Sequence, residues 1–213
     1  MTKTEFMKTV VPVIKRVAEN NGYGKFYKAI SAQAACESNW GKSSLASKWY
    51  NFFGMKAGST WTGKVAELTT KEEYTKGQLT TIKAKFRAYN SLEEGIQGYF
   101  NFIERNKRYN NLIKASDDLD YITKLKADGW ATSSTYVTTL SNILKGMKFD
   151  ESVSVAVPVV QPVVSDGNEL YRVAQDVIKG KYGNGSVRRL KLQQAGYDYQ
   201  TVQNMVNKIL RGA

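Results

Sequence analysis

Between residues 25 and 39 the chain reads KFYKAISAQAACESN, and its apolar positions recur with the period of a helix. Tyr27, Ile30, Ala34 and Glu37 fall at i, i+3, i+7 and i+10, one face of an α-helix. The last of these is a carboxylate in a place the pattern reserves for the buried stripe. There it is costly to ionise, so its pKa is expected to rise unless something pairs with it. The same periodicity predicts helices near 3–20, 91–106, 117–127 and 134–147. Pro12 falls inside the first and predicts a kink or a restart. Ser91 and Glu94 make a capping-box pattern, and Ser116 stands where it can cap the next helix.

Residues 61–89 follow a different pattern. WTGKVAELTTKEEYTKGQLTTIKAKFRAY is rich in Thr, Val, Ile and Tyr, with Lys76-Gly77 at its middle as a turn signal, which predicts a β-hairpin. A helical domain interrupted by one hairpin is α+β and mainly helical. Residues 150–166, DESVSVAVPVVQPVVSD, carry two prolines and no Lys or Arg. They read as an extended linker rather than an edge strand, because two prolines weaken any ladder. Beyond them, amphipathic segments near 168–180, 186–194 and 199–210 are separated by Gly180, Gly183, Gly185 and Gly196. That spacing predicts a compact three-helix bundle, small enough to be marginal by itself. The expected organisation is therefore a domain over 1–149, a linker over 150–166 and a second domain over 167–213.

Composition narrows the chemistry. The 213 residues include no histidine, which removes Ser-His-Asp and Cys-His hydrolases, His-ligated zinc amidases and HExxH proteases together. Any hydrolysis must then run on carboxylates, tyrosines or lysines. No metal-binding constellation is visible and no cofactor is expected. The lone Cys36 cannot form an internal disulfide and reads as a small buried apolar residue. No stretch of 18 apolar residues exists, so no membrane insertion is expected. The first 22 residues lack a signal-peptide core, which leads us to expect synthesis without a leader. The formal charge of +12 predicts a polyanionic partner but does not choose between nucleic acid and the anionic polymers of a cell wall.

Cleaving a glycosidic bond without histidine takes a carboxylic acid to protonate the leaving oxygen, and a second carboxylate as base, nucleophile or stabiliser. A half-buried Glu37 with a raised pKa suits the acid role. AQAACESNWGKSSLA, followed in order by YNFFGMKA, WTG, TTKEEYTKG, KFRAYNSLEEGIQGYFNFI and GWATSSTYVTTLSNIL, resembles the N-acetylglucosaminidases of glycoside hydrolase family 73. The resemblance runs over roughly residues 25–147. It implies a lysozyme-like fold in which a helical lobe and a β-hairpin lobe flank a groove. It also implies that Glu37 is the general acid acting on peptidoglycan, and that the glutamate of the T-x-E-Y pattern is Glu73, with Glu72 and Glu67 as alternatives. Tyr136 matches an active-site tyrosine of the family, while Trp130 replaces another tyrosine and Ser133 an aspartate. Trp61, Tyr89 and Trp130 are candidate faces for pyranose rings, whereas Trp40 and Phe53 read as core.

The C-terminal VIKGKYGNG and AGYDYQTVQNMVN resemble the wall-binding repeat called CW seven or Cpl seven, with Tyr182 in place of a common tryptophan. Lys181, Tyr182, Asn184, Arg188 and Lys191 cluster around its glycine-rich turn as candidate ligands for a muropeptide, and Arg189 reads as a solvated helix residue. The whole resembles a phage endolysin made in the host cytoplasm and acting on the wall after release. Its partners would be peptidoglycan and anionic wall polymers rather than nucleic acid. A lytic transglycosylase and a non-catalytic wall-binding protein remain the alternatives.

Overall fold

The structure is a computed structural model that describes residues 1–75, 78–149, 167–183, 188–189, 191–192 and 195–211. For residues 70–75, 78–82, 200 and 211 it describes the backbone alone. The chain divides into two compact units, Met1–Val153 and Ser154–Ala213. The predicted linker at 150–166 lies outside the described residues.

The first unit is built around α2 (Tyr27–Glu37). This helix is buried on every side over residues 29–35 rather than along a stripe. Its small residues, Ala29, Ala32, Ala34 and Ala35, let its neighbours approach closely. Around it pack α1 (Lys3–Asn20), α4 (Leu92–Arg105), α5 (Asp118–Ala127) and α6 (Tyr136–Gly146). Helix α1 opens with a capping box between Thr2 and Glu5 and runs through Pro12 without the expected restart. Proline leaves the carbonyl of Lys8 without its helical partner, and Lys8 is exposed, so water can take that bond. Helix α4 is capped by Ser91 as predicted. Helix α5 is capped by Asp117, not by Ser116, because the Asp117 carboxylate accepts from the Asp120 amide.

A six-residue helix, α3 (Ser44–Trp49), was not legible in the pattern, since one and a half turns are too short to show a period. The hairpin pairs β1 (Val65–Thr75) with β2 (Gln78–Arg87) antiparallel, in a register from Val65↔Arg87 to Thr75↔Gln78. The register shifts between Glu73 and Thr75, placing an irregularity beside the candidate carboxylate. The predicted turn residues, Lys76 and Gly77, lie outside the described residues.

In the second unit α7 (Gly167–Ile178) and α8 (Tyr199–Arg211) pack together. Residues 188–189 and 191–192, within the expected middle segment, are helical. The core of this unit is Val173, Ala174, Val177, Leu192, Val202 and Val206. As described it is far smaller than the core of the first unit, which adds eleven large aromatic side chains to its aliphatic ones.

Candidate active site

Glu37 is the last residue of α2, and the way that helix ends sets its position. Asn39 and Trp40 are left-handed (φ 50° and 57°), followed by Gly41 at 74°. The amide of Trp40 bonds back to the Ala35 carbonyl (2.7 Å) and that of Asn39 to the Cys36 carbonyl (3.2 Å). This is a Schellman closure with asparagine in the place usually taken by glycine. The buried Ser38 hydroxyl accepts from the Gly41 amide (2.8 Å) and braces the turn. At the other end α2 has no cap of its own. Asp118 of α5 supplies one, accepting from the Ala29 amide (3.0 Å).

The carboxyl group faces a cleft of about 910 Å³ and is its only acidic lining residue among the described residues. Tyr136, the first residue of α6, donates its hydroxyl to Glu37 Oε1 (2.8 Å). Trp130 donates its indole Nε1–H to the same oxygen (3.1 Å). Trp130 follows a second Schellman closure, in which Gly129 (φ 85°) ends α5 and the Trp130 amide bonds to the Leu125 carbonyl. Its ring is held edge-to-face against Tyr99 and Phe102 and tilted against Tyr109, with centroids 5.4–6.0 Å apart. The aromatic box fixes the direction of the N–H.

Burial is the dominant influence on Glu37 and raises its pKa; the bonds from Tyr136 and Trp130 pull it back, but less. Helix position adds to the burial, because the negative end of the α2 dipole disfavours a carboxylate there. With both donors on Oε1, a proton on this group must sit on Oε2. Oε2 borders Gly54, where even an added Cβ would stand 4.0 Å away. The Gly54 loop is itself tied down. The buried Asn51 side chain donates to the carbonyls of Met55 (2.9 Å) and Arg87 (2.8 Å) and accepts from the Met55 amide (3.0 Å). Residues 55–57 also bond to the edge of β2, through Arg87 N to Met55 O and Ala57 N to Lys85 O. The hairpin thus carries one wall of the cleft.

One turn before Glu37, the fully buried Gln33 lies beside the Tyr136 hydroxyl, and among the described residues neither of its amide atoms has a partner in hydrogen-bond geometry. The tyrosine itself is pushed far up by burial and by the neighbouring Glu37, so it serves as a fixed donor and not as a proton source. Neither Gln33 nor Asn51 was singled out from the sequence. Both are polar residues in segments that otherwise read as core, and that mismatch was the available signal. Cys36 is half-buried at the cleft wall, with its thiol pKa raised by burial.

The structure separates the other candidates. Tyr89 is a core residue, 3 % exposed, with its hydroxyl pressed where Gly98 lacks a side chain and its pKa pushed up to about 12 by burial. It presents no face to a sugar. Trp61 lies at the base of the hairpin, outside the cleft lining, with its N–H bonded to the Lys64 carbonyl (3.0 Å) and Arg87 over its ring. Phe53 and Trp40 do pack as core, and Phe53 also lines the cleft. Glu67 is exposed and paired with Lys85 (3.5 Å). Glu72 and Glu73 stand in β1 opposite Thr80 and Leu79, and their side chains lie outside the described residues. Among the described residues no cluster of acidic residues and cysteine could hold a metal ion, and no helix is long and apolar enough to cross a membrane.

In the second unit four candidates surround one turn. Arg188 donates to the Gly183 carbonyl (3.1 Å) and to Gln203 Oε1 (3.1 Å), and Lys191 Nζ lies 3.5 Å from the Lys181 carbonyl. Lys181 pairs with Asp176 (2.7 Å), and Tyr182 packs against the core. Asn184 lies outside the described residues. Arg189 stacks over Tyr199, 4.5 Å from its ring centre, rather than only facing solvent.

A cleft between a helical body and a hairpin, with a half-buried, doubly clamped carboxylic acid on its wall, defines a lysozyme-like glycoside hydrolase domain. The chain belongs to the glucosaminidase family described as mannosyl-glycoprotein endo-beta-N-acetylglucosaminidase, whose profile matches residues 14–149; a CW_7 repeat matches residues 172–210. Peptidoglycan hydrolase FlgJ of Pseudomonas aeruginosa is 33 % identical over 71 % of the chain and 38 % of the relative. Exo-glucosaminidase LytG of Bacillus subtilis is 34 % identical over 56 % of the chain and 43 % of the relative. The chain therefore spans about two fifths of the length of the curated relatives it matches. Among solved structures, a peptidoglycan hydrolase mutant from Sphingomonas sp. A1 superposes with a TM-score of 0.59 at 32 % identity, covering 68 % of this chain and 94 % of that one. The glycoside hydrolase domain of Salmonella typhimurium FlgJ gives 0.55 at 30 % identity, covering 68 % and 88 %.

Proposed function

We propose that this chain hydrolyses the glycan of peptidoglycan as an endo-acting N-acetylglucosaminidase, with Glu37 as general acid and the C-terminal repeat as its hold on the wall. The observation that carries this reading is the pairing of Tyr136 and Trp130 on Glu37 Oε1, which leaves Oε2 to carry a proton at the cleft surface. In the reaction Oε2–H protonates the glycosidic oxygen as the C1–O bond breaks. Water supplies the hydroxyl to C1, and the proton it loses returns the acid to its starting state. A second carboxylate supports C1 or activates the water, and Glu73 on the hairpin is the choice, ahead of Glu72. The Glu67–Lys85 pair makes Glu67 the weakest of the three. Joining a glucosaminidase domain to a wall-binding repeat in one chain supports a lysin, most like those of bacteriophage. Tethering keeps the catalytic unit at high local substrate concentration.

Mass spectrometry of digested peptidoglycan tests both bond and mechanism. New reducing ends of N-acetylglucosamine are expected. Reducing ends of N-acetylmuramic acid would refute the choice of bond, and anhydromuramyl ends would mark a lytic transglycosylase. Glu37→Gln should abolish clearing of wall suspensions, and equal clearing by both proteins would remove the assignment of the acid.

A further inference from the structure

Building on that reading of the cleft, we propose that Arg108 forms a subsite for a carboxylate carried by the glycan, so that charged strands are held in preference to neutral N-acetylglucosamine oligomers. Among the described residues, Arg108 and Lys56 are the cations lining the cleft, and Glu37 is the only carboxylate. Since burial favours the neutral form of Glu37, the described part of the lining carries an excess of positive charge at Arg108. That excess attracts anions and is of no use to an uncharged sugar.

Arg108 is an exposed residue of the cleft lining with two close neighbours. Its Nη1 lies 3.4 Å from where a Cβ on Gly129 would stand, so the guanidinium rests against bare backbone. Its Cζ is 6.0 Å from the ring centre of Tyr109. Gly129 immediately precedes Trp130, so the cation is tied to the turn that aims an N–H at Glu37. Among the described residues no carboxylate pairs with Arg108, although acidic partners hold Arg16 and Lys124 in the same unit. Its planar fork of donors matches a carboxylate in two parallel, charge-assisted bonds, about twice as strong as those it makes to the neutral hydroxyls of a sugar. Peptidoglycan offers that chemistry from two sources, the lactyl group of peptide-free muramic acid and the carboxylates of the stem peptide.

The test compares the affinity of full-length Glu37→Gln with that of Glu37→Gln/Arg108→Gln, by calorimetry, for soluble strands of equal length. One set bears stem peptides, one is peptide-free with free lactyl carboxylates, and one is peptide-free with those carboxylates converted to methyl amides. Loss of Arg108 should weaken binding of a carboxylate-bearing strand about ten- to a hundredfold and change the methyl-amide strand by less than about twofold. Loss confined to the peptide-bearing strand assigns the stem carboxylates, and loss confined to the free lactyl strand assigns the lactyl group. Gly129→Ala, which disturbs the seat of Arg108 without removing charge, should reproduce part of the same selectivity. Equal weakening on all three strands, or on none, overturns the proposal. Turnover of the same strands by the unmodified protein is followed in parallel. Absence of turnover defeats the glycosidase reading, whereas turnover with unselective binding defeats this inference alone.

Discussion

At Glu37 two influences oppose each other: burial pushes the carboxyl toward its neutral form, while two fixed donors favour its ionised form. Tyr136→Phe removes one donor and keeps the ring. The Glu37 pKa should then rise further, moving the basic limb of the pH–rate profile upward by about one pH unit, as expected for losing a bond to a charged group. An unmoved limb would mean that the hydroxyl does not act on the acid. Burial also links this proton to folding. The folded protein holds it more tightly than the unfolded chain, so the stability it contributes is complete below the ordinary glutamate pKa and is lost as pH rises through the higher folded value. Glu37→Gln cannot ionise. Its melting temperature should therefore gain on the unmodified protein as pH climbs above the ordinary glutamate range, and scanning calorimetry across pH reads that change directly. The burial of Glu37 was legible as a carboxylate on an apolar helical stripe. The clamp was not, because Trp130 and Tyr136 lie 93 and 99 residues away and no local period links them. Tyr89 shows the converse limit, since sequence spacing cannot tell a ring that lines a groove from one buried behind it.

At the scale of elements, the site is held by packing that leaves little room. Helix α4 meets the end of α3 at Gly95, where a Cβ would fall 1.9 Å from the Tyr50 carbonyl oxygen. Backbone cannot yield there without moving the loop that begins at Asn51. Gly95→Ala should accordingly cost about 3 kcal/mol in urea unfolding. A near-neutral result would show that α3 and its loop reposition freely. The main helices and the hairpin were readable because each is long enough to display its period. Where the reading failed, the reasons are specific. Pro12 sits where its orphaned carbonyl reaches water, and α2 is buried all round, so its apparent single face was only part of its apolar surface.

Across the whole molecule, composition breaks at residue 150, and the chain divides into units Met1–Val153 and Ser154–Ala213. The basic residues also divide, 23 falling within 1–149 and eight within 167–213, so each unit carries a net attraction for polyanions. Their stabilities should be unequal, for a reason visible in their described cores. Among the described residues six buried apolar side chains support the second unit, few for a domain of its size. Calorimetry should resolve two transitions, the lower one lost when residues 167–213 are removed, and a single shared transition would contradict this. On the proposed function, this small described cluster would be a thermal fuse: on warming, the protein would let go of the cell surface while it could still cut dissolved strands.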